Sequence, residues 1–457
     1  MVTAISAPAD VRTARTSLGF WTAVALVMGN MIGSGVFLLP ASLAPFGAIS
    51  LAGWIMSTAG AVLLSLVFAR LAAANPASGG PYAFTRAAFG ELAGFIVAWG
   101  YWISVWCSNA ALSVAFVGYL DPFVPSIVRN PAAGAGLAIL ALWTLTAVNL
   151  RGLRTAGVVQ VTTTALKMLP LVMVGVGGMF VLNREHFIVA DTSPRAIAHG
   201  VTATATLTLW AFLGLECATI PAANIRNAER TIPRATVIGT LLAAAVYILG
   251  TIAVMGTVPS AVLSQTTAPY TEAARVLAGN GGAALVSLGA AISCLGALNG
   301  WILIVGQLPL AVSEDGLFPS IFRRKSASDA PVFGLVIGGA LSTAMIAMNY
   351  TRGLVSLFTF VILLSTLSTL VPYVFCSLAG FVSRNPSPAT PGTPGTPGTP
   401  GTPGTPGTPG TLGTHMISAL AFVYSLWAIS GAGADVVYWG FLLLMAGLPV
   451  YVWVIRK

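Results

Sequence analysis

Apolar runs of about 20 residues recur along the chain from Phe20 to Ile455, with only short polar segments between them. A helix needs about 20 residues to cross the hydrocarbon core of a bilayer, so each run is long enough to span a membrane. Only 7% of the residues are charged, whereas soluble domains carry about a quarter. The sequence therefore predicts an all-α integral membrane protein in a lipid bilayer.

The apolar runs predict twelve transmembrane helices with both termini on the same side of the membrane. Fifteen Lys and Arg residues then lie on the side of the termini, five lie on the opposite side, and Lys167 lies within a span. Because cytoplasmic loops are enriched in Lys and Arg, this asymmetry predicts cytoplasmic N- and C-termini. It also accounts for the net charge of +9, so no nucleic-acid partner is expected. The predicted helices are 20–39, 49–73, 92–120, 133–150, 159–182, 198–220, 233–258, 284–310, 332–348, 354–382, 416–431 and 436–455.

The region between the tenth and eleventh predicted helices differs in composition from the rest of the chain. Seven Thr-Pro-Gly triplets run from Thr390 to Gly410, and such a composition favours a disordered chain. Two interpretations remain open, a passive loop and a docking segment. The N-terminal residues lack the short apolar segment of a cleaved signal peptide, so we expect them to be retained. The predicted organisation is an N-terminal cytoplasmic tail at 1–19, a ten-helix membrane core at 20–382, a disordered cytoplasmic loop at 383–415, and two helices with the C-terminal tail at 416–457.

The first predicted helix contains three small residues, Gly33, Ser34 and Gly35, inside an otherwise apolar span. Small residues let membrane helices pack closely together. Alternatively, they mark an unwound segment, whose free N–H groups at the start of a half-helix would hold a carboxylate. This motif alone leaves both interpretations open.

The sixth predicted helix repeats the pattern, because Gly214 interrupts it and Glu216 follows two residues later. Transporters built from two inverted five-helix repeats bind their substrate where the first helix of each repeat breaks. Two interruptions five helices apart therefore predict one repeat in helices 1–5 and a second in helices 6–10.

Two ionisable residues lie deep within predicted spans, Glu216 and Lys167. Charged groups are unfavourable in the bilayer and usually face the interior of the helix bundle. They either pair with each other or with backbone groups, or they take part in proton coupling. We favour proton coupling, because intramembrane ionisable groups are commonly functional.

Other classes of protein fit the sequence less well. The four cysteines lie in apolar runs without metal-ligand spacing, so we interpret them as packing residues. The three histidines, His186, His199 and His415, lie in or beside loops without a catalytic motif. A channel would need rings of charge or filters of carbonyl groups, and no such repeated motif occurs. We therefore expect neither an enzyme nor a cofactor.

Four segments carry distinctive motifs: Met31–Phe37 in helix 1, which reads Met-Ile-Gly-Ser-Gly-Val-Phe, and Gly79–Phe84, Trp210–Glu216 and Glu314–Pro319. Together they resemble the amino acid–polyamine–organocation superfamily. Within that superfamily the chain looks most similar to bacterial antiporters of the arginine/agmatine type, and then to other basic amino acid and polyamine antiporters. The resemblance covers nearly the whole chain apart from the repeat loop and the extreme termini. It implies a five-plus-five inverted-repeat fold with helices 1 and 6 unwound, a homodimer, and a location in the bacterial inner membrane.

The resemblance also implies a set of site residues. A Trp301 indole would cover a cationic side chain, and a desolvated cation over an indole gains about 2 kcal/mol. The implied substrate-binding residues are Asn30, Met31, Ser34, Gly35, Ser104, Val105, Asn109, Trp210, Leu213, Trp301 and Ser365. The implied gating or proton-coupling residues are Tyr101, Lys167, Glu216 and Tyr373.

The backbone would bind the two ends of an α-amino acid under this resemblance. The Ser34 hydroxyl and the Gly35 amide would hold the carboxylate, because half-helix N-termini favour anions. Carbonyl groups near Met31, Trp210 and Leu213 would take the α-ammonium.

The implied function is exchange of arginine for its decarboxylated amine, agmatine, by alternating access. Ser104, Val105 and Leu112 depart from the side chains expected in an arginine-specific pocket. Lys167 resembles a lysine that replaces a sodium ion in proton-coupled members of the superfamily. It opens an alternative mechanism, proton-coupled symport of a neutral or cationic amino acid.

Overall fold

A computed structural model describes residues 18–189, 191–266, 268–352, 355–382, 411–431 and 434–456. These residues form α-helices joined by loops and short 3-10 turns, with two isolated β-bridges. The helices are α1 (Phe20–Met31), α2 (Gly35–Leu43), α3 (Ile49–Ala74), α4 (Pro81–Phe89), α5 (Glu91–Gly118), α6 (Pro125–Val128), α7 (Pro131–Leu150), α8 (Leu153–Phe180), α9 (Pro194–Leu209), α10 (Ala228–Thr257), α11 (Ser260–Leu263), α12 (Pro269–Glu314), α13 (Val332–Arg352), α14 (Val355–Val382), α15 (Leu412–Gly431), α16 (Ala434–Met445) and α17 (Leu448–Ile455).

Nine helices in the described part of the chain are long and apolar enough to cross a membrane. In addition, α1 and the segment Gly35–Phe46 form a pair bent by 41°, and Val332–Met348 and Leu367–Val382 are shorter apolar helices. The protein is therefore all-helical and multi-pass, as the sequence predicts. The number of twelve spans stays a prediction.

The surface of the helices matches a lipid environment. Large apolar side chains such as Leu169, Phe180 and Val176 are more than half exposed along α8, and a soluble monomer rarely leaves such a wide apolar surface in water. The helix α12 has the opposite character, because 83% of its apolar 18-residue stretch is buried inside the protein. It therefore forms the centre of the bundle, and the site described below is built around it.

Several helix boundaries differ from the sequence prediction, and the first predicted helix, 20–39, is divided into α1 and α2. The eighth predicted helix, 284–310, belongs to the longer α12, which contains non-helical backbone at Ala278 and Gly279. The sixth, predicted at 198–220, ends as an α-helix at Leu209. Hydropathy identified the apolar stretches but could not locate these breaks, which depend on backbone conformation.

The eleventh predicted helix also begins earlier than expected. The helix α15 starts at Leu412 rather than at residue 416, because the Thr411 side chain accepts a hydrogen bond from the Thr414 amide at 3.4 Å. Such a side-chain cap satisfies a free N–H group of the first turn. The last residues of the predicted loop 383–415 are thus helical, and the Thr-Pro-Gly triplets lie outside the described residues.

Candidate functional site

The helix that begins the bundle is interrupted at residues 32–34. The helix α1 ends at Met31 and α2 begins at Gly35, so the carbonyl groups near the break lose their helical partners. The Lys167 ammonium donates hydrogen bonds to the carbonyl oxygens of Gly29 at 2.7 Å and Ile32 at 2.5 Å. The Ser293 hydroxyl lies 3.0 Å from the Ile32 oxygen. Two side chains from other helices therefore stabilise the backbone of the break.

The other side of the break exposes the start of α2. The first N–H groups of a helix have no partner within that helix, and they carry a partial positive charge. Ser34, at the position before α2, makes no side-chain capping bond. The Phe37 amide donates to the Ser34 carbonyl at 3.2 Å, so the amides of Gly35 and Val36 are the groups of this N-terminus that can interact with an anionic group.

A second interruption follows α9. The backbone leaves the α-helix after Leu209, forms a short 3-10 turn over Trp210–Phe212, and becomes extended at Leu213. Gly214 then adopts a φ of +107°, which is favourable only for glycine. A Cβ at Gly214 would lie 3.2 Å from the Asn30 Cβ and 3.3 Å from the Trp301 ring. Gly214 thus brings the two interruptions and α12 close together.

The two interruptions line a cavity. Side chains of α5, α12 and α14 complete its wall. The indoles of Trp210 and Trp301 form its aromatic surfaces, whereas Ser108, Ser365 and Thr369 supply hydroxyl groups. None of the residues that line this cavity in the described part of the chain is acidic or basic. A charged ligand in this cavity would therefore contact backbone dipoles, hydroxyl groups and aromatic faces.

A chain of buried amides fixes the orientation of Asn30 on the cavity wall. The Gln160 amide donates a hydrogen bond to the Asn30 side-chain oxygen at 3.3 Å and accepts one from Asn299 at 3.0 Å. Asn149 donates in turn to the Asn299 oxygen at 3.1 Å. These bonds connect α1, α8, α12 and α7.

The sequence profile of the amino acid permease family matches residues 18–455, which is nearly the whole chain. The chain belongs to this family. Its superfamily is therefore the amino acid–polyamine–organocation superfamily, as the sequence analysis predicted.

Several curated relatives align with most of this permease. A cadaverine/lysine antiporter of Escherichia coli K12 is 34% identical over 368 residues, which cover 78% of this chain and 82% of the relative. A putative arginine/ornithine antiporter of Bacillus subtilis is 32% identical over 391 residues, covering 79% and 83%. The putrescine transporter PotE of Haemophilus influenzae is 29% identical over 439 residues, covering 94% and 95%.

The structure brings eight of the eleven expected site residues of this permease to the cavity wall. They are Asn30, Met31, Ser34, Gly35, Trp210, Leu213, Trp301 and Ser365. Their assignment to substrate binding stays a prediction.

The other three, Ser104, Val105 and Asn109, do not line the cavity as the structure describes it. The Ser104 carbonyl accepts a hydrogen bond from Ser365 at 2.9 Å, so Ser104 supports a wall residue. Val105 packs within an apolar cluster. Asn109 is fully buried, and its side-chain amide has no hydrogen-bond partner among the described residues.

The wall also contains residues outside the implied substrate-binding set, although Leu112 was already noted as a departure from an arginine-specific pocket. They are Gly33, Cys107, Ser108, Ala111, Leu112, Ala211 and Thr369. Four of them belong to α5, where residues 107, 108, 111 and 112 share one helix face. The predicted Val105 and Asn109 lie at the edge of this face and outside the cavity wall, and no pattern within α5 separates the two sets.

The two intramembrane ionisable residues do not pair with each other. Both carboxylate oxygens of Glu216 accept hydrogen bonds, one from the Tyr101 hydroxyl and one from the Tyr373 hydroxyl. Glu216 is fully buried and lies behind the cavity wall, and the Tyr101 ring packs edge-on against Trp301 with 6.4 Å between ring centroids. Lys167 is bound to the carbonyl groups of the α1 break. Each group therefore has its own polar partners.

A polar cluster outside the spans joins α4 to the end of α12. The Tyr82 hydroxyl donates a hydrogen bond to Asp315 at 2.7 Å, and an Arg86 nitrogen lies 2.8 Å from the same carboxylate. Burial of the Tyr82 ring, together with the hydrogen bond to Asp315, raises the pKa of the phenol above its ordinary value. Tyr82 therefore stays protonated and continues to donate at physiological pH.

Proposed function

We propose that this permease is a secondary active transporter that exchanges a basic amino acid for its decarboxylated amine by alternating access. The observation that carries the proposal is the cavity itself, which combines the free N-terminus of α2 with the indole of Trp301 and contains no charged side chain among the described residues. An amino acid with a cationic side chain has a group for each of these features. The amine keeps the cationic group and lacks the carboxylate.

Each part of the substrate has a proposed partner. The carboxylate binds at Ser34 and the amide of Gly35, because a helix N-terminus attracts anions. The α-ammonium binds carbonyl groups near Met31 and Leu213, which the interruptions release from helical hydrogen bonding. The cationic end lies against the face of Trp301, where an indole attracts a cation. Exchange follows if the empty cavity leaves these backbone groups unsatisfied, so that the empty carrier reorients slowly.

The remaining predicted residues take supporting roles in this proposal. Ser365, held by Ser104, contacts the distal end of the substrate, and Val105 and Asn109 shape the helix behind it. Tyr101, Glu216 and Tyr373 form a gate beside Trp301. Trp210 closes the other side of the cavity against α2.

The larger architecture belongs to the proposal as well. It consists of twelve spans in a five-plus-five inverted repeat, with cytoplasmic termini, in a homodimer of the bacterial inner membrane. The interruptions in α1 and after α9, five predicted helices apart, support the repeat. The names of the relatives at 34% and 32% identity, both antiporters, support exchange over proton-coupled symport through Lys167.

Arginine with agmatine is the first substrate pair that we propose. The relatives' names suggest further tests with lysine and cadaverine, with arginine and ornithine, and with putrescine. Purified protein in proteoliposomes would be assayed for uptake of each radiolabelled amino acid, with or without the internal amine and with or without an inward proton gradient. Uptake that requires the internal amine is expected. Uptake into empty vesicles that follows the proton gradient would contradict exchange.

A matched pair of tryptophan variants assigns the uptake to the cavity. Trp301→Ala removes the indole from the cavity wall, whereas Trp439→Ala removes one that is 53% exposed on the outer surface. The first variant should lose uptake at substrate concentrations that saturate the unaltered protein, and the second should keep it. Equal effects of the two variants would place the substrate elsewhere.

A further inference from the structure

A second cleft opens at the end of α12. It lies between the loop before α4, the segment that follows the α9 interruption, the last turns of α12 and the turn between α12 and α13. Polar and charged side chains dominate its wall, among them Ser78, Gln307, Glu314, Lys325 and Asp329. The distribution of Lys and Arg predicts this end of the protein to be cytoplasmic.

The cleft lies further along α12 than Trp301, the residue of this helix that lines the central cavity. Gly300 packs against Asn30 of the central cavity so closely that a Cβ on Gly300 would lie 2.8 Å from the Asn30 Cγ. Gln307 and Glu314 follow at intervals of seven residues, which returns each to nearly the same face about 10 Å further along the helix. The cleft therefore lies on the α12 face that packs against Asn30, whereas Trp301 reaches the central cavity from another face of the helix.

Gln307 is the feature that points to a ligand. Its side chain is only 6% exposed, and it lines the cleft. Within the described part of the chain no hydrogen bond joins its amide to another residue, and the amide is accessible from the cleft. The amide therefore presents an unused donor and acceptor to the interior of the cleft.

The charges around Gln307 select for a cation. The Lys325 ammonium lies 3.1 Å from a Glu314 oxygen and 3.8 Å from an Asp329 oxygen. One positive group thus stands between two negative groups, and the three charges leave a net charge of −1. The side chains of Lys325, Glu314 and Asp329 are 32%, 52% and 55% exposed. Exposed ion pairs of this kind are weak. Another ammonium group can therefore compete with Lys325.

We propose that this cleft is a second binding site for the primary ammonium group of an amine or basic amino acid. The incoming ammonium displaces Lys325 and binds Glu314 and Asp329, while a second polar group of the same molecule binds the Gln307 amide. The identity of the ligand rests on the proposed function, because the amines exchanged through the central cavity carry this group. The site holds the ligand between the aqueous phase and the central cavity.

Equilibrium binding to the full-length protein in detergent tests the site. Radiolabelled agmatine, cadaverine and putrescine would each be titrated alone, and the variant Trp301→Ala would be used to weaken the central site. The Trp301→Ala protein should retain a weak binding phase for at least one of the three amines. Loss of all binding in this variant, with an unchanged thermal melting temperature, would overturn the second site.

The variant Lys325→Gln provides the sharpest measurement, because it removes the Lys325 ammonium that competes with the ligand for Glu314 and Asp329. In the Trp301→Ala background it should tighten the retained phase by about threefold, whereas Glu314→Gln and Gln307→Leu should each weaken it. Two control variants remove exposed charges outside the cleft. Arg324→Gln is the control for Lys325→Gln and Glu229→Gln is the control for Glu314→Gln, and neither should change the retained phase. If Lys325→Gln weakens binding or leaves it unchanged, Lys325 has only a structural role and the proposal is wrong.

The two proposals fail in different ways. If no amino acid pair shows exchange in vesicles but the Lys325-sensitive phase is present, the proposed function fails and the cleft still binds amines. If exchange occurs but the phase is absent, the central site stands alone. A phase that sodium or potassium chloride abolishes equally well at matched concentration would show a non-selective cation site and would also overturn the proposal.

Discussion

The indole of Trp210 packs directly on the backbone of Gly35. A Cβ at Gly35 would overlap the indole and lie 2.8 Å from its Cε3 atom. The contact joins the segment after α9 to the start of α2, which are the two interrupted segments of the bundle. Only glycine permits this approach, because every other residue would place a side chain inside the ring.

The variant Gly35→Ala should therefore disturb the cavity rather than the whole fold. Overpacking of a well-packed interior costs about 1–3 kcal/mol, and here the added methyl group displaces a wall residue of the cavity. Exchange should fall by at least about tenfold while the protein still purifies as a folded species. Gly136→Ala is the control, because a Cβ at that position meets nothing within 4 Å. Normal exchange by Gly35→Ala would show that Trp210 can move away without consequence.

Removal of the Trp301 indole should weaken binding of the amino acid and of the amine by the same factor. Both molecules carry the cationic group, and a desolvated cation over an indole gains about 2 kcal/mol, or roughly 30-fold in affinity. Binding constants of Trp301→Ala and Trp301→Phe would be measured for both molecules of the exchanged pair. Trp301→Phe should have the smaller effect, since a phenyl ring attracts a cation less strongly than an indole. A loss restricted to the amino acid would place the cationic end elsewhere.

The variant Ser34→Ala should discriminate between the two molecules. Ser34 precedes α2, and its side chain lines the cavity without capping the helix. Because the amine lacks the carboxylate proposed to bind there, the variant should weaken amino acid binding by about fivefold and leave amine binding unchanged. Ser113→Ala is a suitable control, since the Ser113 hydroxyl only donates to the carbonyl of Asn109 in its own helix. Equal losses for both molecules would contradict the proposed orientation.

The local features of the site could be predicted from the sequence better than its contacts. Small residues and a glycine stand out in an apolar span, so Gly33–Gly35 and Gly214 indicated where the helices are interrupted. Polar or charged residues in spans stand out for the same reason, which identified Lys167 and Glu216. Their partners could not be predicted, because the Lys167 bonds join residues 135 and 138 positions apart in the chain.

The face of α5 shows why the remaining wall residues were missed. Ser104 and Ser108 are one helical turn apart, but the Ser104 side chain is bonded to the Tyr101 carbonyl at 2.7 Å, whereas Ser108 reaches Ser365 at 2.8 Å on the wall. The rotation of α5 about its axis decides which of them meets the cavity. That rotation depends on the packing of α12 and α14, which no pattern within α5 encodes.

Lys167 and Ser293 should show energetic coupling, because both donate toward the Ile32 carbonyl oxygen. A buried carbonyl group that loses its partner costs about 1–3 kcal/mol. Lys167→Gln and Ser293→Ala should each lower the thermal unfolding midpoint, and the double variant should deviate from the sum of the two effects. Additive effects would mean that the two side chains stabilise the break independently.

Exchange by Lys167→Gln should remain independent of the proton gradient, in contrast to the symport mechanism.

The hydroxyl groups of Tyr101 and Tyr373 should be required together for a functional gate. Each donates a hydrogen bond to one oxygen of the buried Glu216 carboxylate, so Tyr101→Phe or Tyr373→Phe leaves one oxygen without its partner. Bonds to a buried charged group contribute about 1.5–3 kcal/mol, and each variant should therefore slow exchange by about tenfold or more. Tyr438→Phe, at a position that is 59% exposed, is the control. If the double variant exchanges as fast as either single variant, the one bond left to Glu216 in a single variant contributes nothing to exchange. If both single variants exchange normally, Glu216 does not depend on these tyrosines and the gate is formed by other residues.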